Sequence, residues 1–266
     1  MSSTETASHN LACMEIWGGN HRVARTVELP GLAGWVYSQP LPGHSNGGDL
    51  HYLSVCSQGR LARVGLADVS GHGQAVSGVA DCLRTLMREH INTFDQSDLL
   101  RGLNRTFQQQ CVSGMKFASV ILLGIHGRPG EPDRGRMVFS NAGQPRPLWY
   151  RSAQKSWEQL KETAAHDETE LADLPLGIIS GTDYRQSVVQ LEAGDLVLLY
   201  SDGLLEARNP QDELLGEERL LELARTVPVD SPAAAGQALL AEVEKFRQGA
   251  PARDDETLLV LQLLPS

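Results

Sequence analysis

Four apolar runs in this chain begin or end on an aspartate, and that pattern limits the folds open to it. "LHYLSVCS" (50–57) follows the turn Asn46-Gly47-Gly48-Asp49, and "RLARVGLAD" (60–68) closes on Asp68. "DLVLLY" (195–200) runs into Ser201-Asp202-Gly203, and "ETLLVLQLL" (256–264) is preceded by Asp254-Asp255. A carboxylate beside an apolar strand is half-shielded from water, and several brought together repel one another unless cations compensate. Oxygen-only ligands suit Mg²⁺ or Mn²⁺. Neighbouring glycines let backbone carbonyls and bound waters come close. One such aspartate is an ordinary turn residue; four in the same setting point to a shared site.

The strands come in adjacent pairs. Gln58-Gly59 joins the first two as a β-hairpin. "FASVILLGI" (117–125) and "RMVFSNAG" (136–143) flank a loop-like "HGRPGEPDRG", and "PLWYRS" (147–152) and "YRQSVVQL" (184–191) add further strands. Residues 153–182 read as loop. Helices alternate with these blocks. Val76, Val79, Leu83, Leu86 and His90 form an amphipathic stripe directly after the Gly71-His72-Gly73 turn. A second helix is expected from Ser97 as N-cap, with Asp98 in its first turn and Leu103, Phe107 and Cys111 on its stripe. Two more fall near 216–227 and 231–247. Strands in blocks, then helices, then strands predict one α+β layered domain over 14–266, with residues 1–13 disordered.

With 41% hydrophobic residues, 266 residues can bury a substantial core. No apolar run is long enough to span a bilayer, and "MSSTETASHN" carries no signal-peptide pattern, so a soluble, cytoplasmic protein without membrane contact is expected. The net charge of −10 argues against nucleic acid as a partner. Cys13, Cys56, Cys82 and Cys111 stand far apart with no CxxC, which predicts reduced, mostly buried thiols.

Read in order, "GGD", "DVSGHG", "NAGQP", "LPLGI", "GDLVLLYSDGLLEARN", "LLGEERL" and "DDETLLVL" resemble the SpoIIE-type bacterial branch of the metal-dependent PPM (type 2C-like) protein serine/threonine phosphatases, over residues 45–264. The resemblance implies a four-layer αββα sandwich, two antiparallel sheets flanked by helix pairs. It implies two Mn²⁺ or Mg²⁺ ions held by Asp49, Asp68, the backbone carbonyl of Val69, Asp202 and Asp254. Asp255 supports rather than ligates, and Thr257 orients the turn. The chemistry implied is in-line attack on phosphorus by a water activated between the ions. The substrate implied is a phosphoserine or phosphothreonine on a regulatory protein, a STAS-type anti-sigma-factor antagonist. A separate sensor or regulator protein is a further implied partner, and docking on the helix from Gln74 to His90 would reach Asp68.

Two positions depart from the family pattern. Tyr52 stands where a second acidic residue is common, which puts a subsidiary metal contact in doubt. Gln144 replaces the histidine of "NAGH". His72 is either a general acid or a hydrogen-bonded turn residue. Arg63 and Arg208 are candidate phosphate clamps, each also readable as a surface charge. These departures keep an alternative open, a catalytically weak PPM-fold module that captures a phosphoregulator. A dinucleotide fold is the sharpest rival enzyme class and is disfavoured: "GHGQAV" has Val76 for the third glycine, and the later strands come in adjacent pairs rather than βαβ units. No P-loop G-x-x-x-x-G-K-[ST] occurs.

Overall fold

The computed structural model describes residues 9–11, 15–56, 59–71, 74–90, 93–111, 116–163 and 172–265. In chain order the elements are β1 (His9–Asn10), β2 (Ile16–His21), β3 (Val23–Leu29), β4 (Leu32–Gln39), β5 (Asn46–Cys56), β6 (Leu61–Val69), α1 (Gln74–Glu89), α2 (Gln96–Gln110), β7 (Ala118–His126), β8 (Arg136–Ala142), β9 (Leu148–Arg151), β10 (Ser156–Gln159), β11 (Ser187–Gln190), β12 (Leu196–Tyr200), α3 (Asp202–Leu205), α4 (Gly216–Ala224), α5 (Pro232–Arg247) and β13 (Glu256–Leu263).

The strands form two sheets, β1-β3-β4-β13-β12-β9-β10 and β11-β8-β7-β6-β5-β2. Every pairing is antiparallel except β1 with β3. Three apolar layers hold the sandwich together. Val36, Val197 and Leu259 of the first sheet meet Leu53, Val64 and Leu123 of the second between the sheets. α1 and α2 cover the outer face of the second sheet through Val76, Leu83, Leu103 and Phe107. α4 and α5 cover the first through Leu220, Leu239 and Val243. This is the expected αββα arrangement. Burial on both faces explains why the central strands read as near-continuous apolar runs. Among the described residues no helix is long and apolar enough to cross a membrane.

Several local expectations change. The N-cap of α2 is Asp95, whose side chain accepts from Asp98 N; Ser97 lies buried inside the first turn. The stretch read as loop contains β10, an edge strand paired with β9. The strand expected over 184–191 shortens to Ser187–Gln190. Within the segment expected to lack order, His9–Asn10 pairs with Val27–Glu28 and Leu11 is buried. The largest correction concerns the thiols. Cys82 on α1 and Cys111 at the end of α2 form a disulfide, with Cα atoms 5.7 Å apart. The α1–α2 pair brings together residues that are 29 apart in sequence, which spacing alone does not reveal. Cys13 and the side chain of Cys56 lie outside the described residues.

Candidate functional site

The pleat decides which way each residue of β5 and β6 points, because successive side chains face opposite sides of a sheet. Leu53 and Val55 of β5, and Val64 and Leu66 of β6, face the first sheet. Leu50, Tyr52, Ala67 and Val69 face the helices. Asp49 and Asp68 share the parity of the first set, so both stand on the inter-sheet face. They are also direct cross-strand partners. The other two aspartates arrive from the first sheet. β12 and β13 pair with Tyr200 opposite Leu258, so Asp202, two residues past one strand, and Asp254, two before the other, meet at the same end.

Asp255 fastens the two sheets together at this end. Its Oδ1 accepts from Leu41 N and its Oδ2 from Gly48 N, both at 2.6 Å. The approach is close enough that a Cβ on Gly203 would fall 2.0 Å from the Asp255 carbonyl oxygen. Asp255 thus has both carboxylate oxygens engaged by backbone and supports the site. The Thr257 carbonyl oxygen accepts from Ser201 N at 3.0 Å, and Thr257 N donates to the Ser201 hydroxyl oxygen at 2.9 Å. The carbonyl oxygen of Val69 borders the same corner, 2.9 Å from where a Cβ on Gly48 would sit.

The electrostatics follow from this crowding. Burial raises the Asp49 pKa well above the carboxylate range; the Asp68 charge adds to it, and hydrogen bonds from Ser201 and Thr257 oppose it. Asp68 is pushed up to about 8, first by burial and then by Asp202, Asp254, Asp255 and Glu206. Asp202 is raised by burial, then by Asp254 and Glu206, against hydrogen bonding from Gly203. Asp49 is 2% exposed, and its Oδ2 accepts no hydrogen bond among the described residues. A buried carboxylate oxygen without a donor is costly unless a cation serves it. Among the described residues no three His, Cys, Asp or Glu side chains are already drawn tightly around one point. The donor set, all oxygen and all acidic, fits hard divalent cations.

Two residues were missed in the sequence. Glu206 caps the one-turn helix α3 and adds to the charge around Asp68 and Asp202; its signal was the four-residue spacing from Asp202. His51, two residues along β5 from Asp49, is fully buried, and burial followed by nearby His21 pushes its pKa down to about 3. It is therefore a neutral imidazole close to the acidic corner.

The departures also find their places. Tyr52 is buried on the helix side, away from the carboxylates, as three residues of pleat from Asp49 require. Gln144 donates through Nε2 to Ser119 Oγ at 2.9 Å, and Ser119 pairs with Asp68. Its place is under the strand that carries Asp68. Arg63 is buried on the helix face of β6 and donates to the Thr93 carbonyl, so it is neither a surface charge nor beside the carboxylates. Arg208 is held by Asp212. His72 lies outside the described residues.

The family model for Stage II sporulation protein E (SpoIIE) matches residues 58–264. The chain is 25% identical over 169 residues to the phosphoserine phosphatase RsbU of Bacillus subtilis (strain 168); that match covers 63% of this chain and 45% of RsbU, less than half its length. The RsbU and RsbW domains of Rv1364c from Mycobacterium tuberculosis superpose with a TM-score of 0.71 at 24% identity, over 92% of this chain and 64% of that one. The catalytic domain of the serine threonine protein phosphatase PstP, also of Mycobacterium tuberculosis and solved with two manganese ions, gives 0.59 at 17% identity, over 88% and 99%. At these identities the structural likenesses show the shared sandwich.

Proposed function

The chain belongs to the SpoIIE family, and from that premise we propose that residues 14–266 form a metal-dependent protein serine/threonine phosphatase acting in the cytoplasm. One observation carries the reading: Asp49 and Asp68 face each other across a strand pair, with raised pKa values and an unserved Asp49 oxygen, where Asp202 and Asp254 converge. Asp49, Asp68, the Val69 carbonyl, Asp202 and Asp254 would hold two divalent ions, Mn²⁺ or Mg²⁺. The PstP domain, with its two manganese ions, supports that choice. Such ions supply Lewis acidity and a water of lowered pKa for in-line hydrolysis.

The chain's own contribution is positional. The β5–β6 ladder fixes the spacing of Asp49 and Asp68. Ser201 and Thr257 engage Asp49 by hydrogen bonds while Oδ2 is left for a cation. Asp255 ties the Gly48 turn to β13 so that the two sheets cannot slide apart at this corner. Preorganised groups of this kind cost no rearrangement when charge develops on a phosphoryl group.

The substrate we propose is a phosphoserine or phosphothreonine on a folded STAS-type anti-sigma-factor antagonist, with control by a separate sensor or regulator protein. The match to the phosphoserine phosphatase RsbU supports the phosphoserine. The test compares phosphate release from an intact phosphorylated STAS-type regulator, its excised phosphopeptide and a phosphotyrosine peptide, with Mn²⁺, with Mg²⁺ and with EDTA. Turnover should need the metal and favour the intact protein. Full activity in EDTA would overturn the metal assignment; equal kcat/KM on all three substrates would overturn the substrate assignment.

A further inference from the structure

At the opposite end of the first sheet, the β9–β10 hairpin and the C-terminal end of α4 flank an open cavity of about 410 Å³, lined by Tyr150, Lys155, Ser156, Trp157, Arg225 and Val229 among others. Tyr150 pairs with Leu196 at the start of β12, whereas Asp202 lies two residues past its end. Six residues of extended rise separate the cavity from the carboxylates by roughly 20 Å. The volume falls in the range of small-molecule sites.

The lining is one-sided in chemistry. Trp157 is 4% exposed, and its indole N–H donates to nothing among the described residues. Lys155 and Arg225 both line the cavity, and neither makes an ion pair or side-chain hydrogen bond among the described residues. Among the described residues no carboxylate lines it, although the chain carries a net charge of −10. Lys155 also sits in the hairpin turn at φ 49°, a conformation that Gly or Asn takes more readily. Turn geometry alone therefore does not call for a lysine there. The rings of Tyr150 and Trp157, 5.4 Å apart and inclined at 52°, and Val229 supply an apolar wall.

We propose that this cavity binds a small organic anion, a carboxylate or phosphate carried on a flat apolar ring, at a site separate from the carboxylate centre. Lys155 and Arg225 neutralise the anion, the ring lies against Tyr150, and Trp157, packed beside Tyr150 in the lining, reports occupancy. The inference stands whether or not the chain is a phosphatase.

The test uses the full chain with ¹⁵N-labelled tryptophan. Its four indole N–H signals are resolved by NMR, with that of Trp157 identified from Trp157→Phe. Benzoate, adenosine monophosphate and inorganic phosphate are titrated separately to millimolar concentration. The Trp157 signal should shift saturably with benzoate or with the nucleotide, and which one does so identifies the anionic group. The double variant Lys155→Gln/Arg225→Gln, with an unchanged melting temperature, should weaken that binding about tenfold or more, as loss of charge-assisted bonds predicts. No saturable shift with any probe, or the same affinity in the double variant, would overturn the site. An equal response to inorganic phosphate alone would overturn the ring-binding half of the proposal.

Discussion

Replacing Asp68 by Asn should abolish metal-dependent turnover and yet stabilise the metal-free protein. Burial and four neighbouring acids push the Asp68 pKa up to about 8, against about 3.9 in an unfolded chain. Between those values the folded protein holds a proton that the unfolded chain has released. Stability contributed by this group is therefore fully present at low pH and is lost as pH rises toward about 8. The whole difference is worth roughly 5–6 kcal/mol, of which about 4 is already lost at pH 7. Asn is neutral at every pH and close in shape, so it recovers up to that amount. Relaxation and water entry among coupled carboxylates reduce the expected gain to about 1–3 kcal/mol, a shift of several degrees in Tm for a chain of this size. The assay is thermal unfolding of wild type and D68N in EDTA, between about pH 5.5 and 8. The wild-type Tm should climb toward acid while the variant's changes less, and the variant should be the more stable at the alkaline end. Saturating Mn²⁺ should reverse the ranking, because cations compensate the wild-type cluster and bind only the folded state. A flat wild-type profile in chelator, or a variant less stable than wild type near pH 8, would refute the reasoning.

Other outcomes follow from single contacts. Reducing the Cys82–Cys111 bond releases a loop of 29-residue separation, worth roughly 3–4 kcal/mol by loop entropy; dithiothreitol should lower the Tm of wild type and leave that of Cys82→Ser unchanged. Gly203→Ala places a methyl group 2.0 Å from the Asp255 carbonyl oxygen, so Asp202 must shift; initial rates should drop about a hundredfold, as small misplacements of catalytic groups do. Asp255→Ala leaves Leu41 N and Gly48 N without their acceptor, and denaturant unfolding should report a loss of about 2–5 kcal/mol. Tyr52→Phe, on the helix side of β5, should leave the Mn²⁺ concentration for half-maximal activity unchanged; a large rise would return Tyr52 to the metal corner.

Much of the sandwich was legible because its central strands are buried on both faces. β6, β7, β12 and β13 therefore carry apolar runs that no surface strand would tolerate. α1 was legible from Val76, Leu83 and Leu86, which recur at helical spacing against one sheet. The elements that escaped are those with little apolar area to bury. β10 reads "SWEQ" and buries only Trp157, so its strand character comes from pairing with β9 rather than from its own pattern. The cap of α2 was expected at Ser97, but the helix starts two residues earlier on Asp95, which puts Ser97 inside the first turn.

The carboxylate corner divides in the same way between what periodicity reveals and what only packing reveals. That Tyr52 turns away from Asp49 follows from the pleat alone, since an odd spacing along a strand reverses the face. The different fates of Asp254 and Asp255, which the family resemblance implied, do not follow from periodicity, because two adjacent acids before a strand offer no sign of which one is already engaged. The backbone decides. Asp255 accepts the N–H groups of Leu41 and Gly48 from segments more than two hundred residues upstream, and each of those groups would otherwise be left without this acceptor. A carboxylate so engaged is a poor competitor for a cation, whereas Asp49 keeps a buried oxygen with no donor. The same two-sheet closure therefore makes one acid a fastener and leaves its neighbours as the ligands we propose. Separating the sheets at Asp255 should weaken metal affinity without removing any ligand.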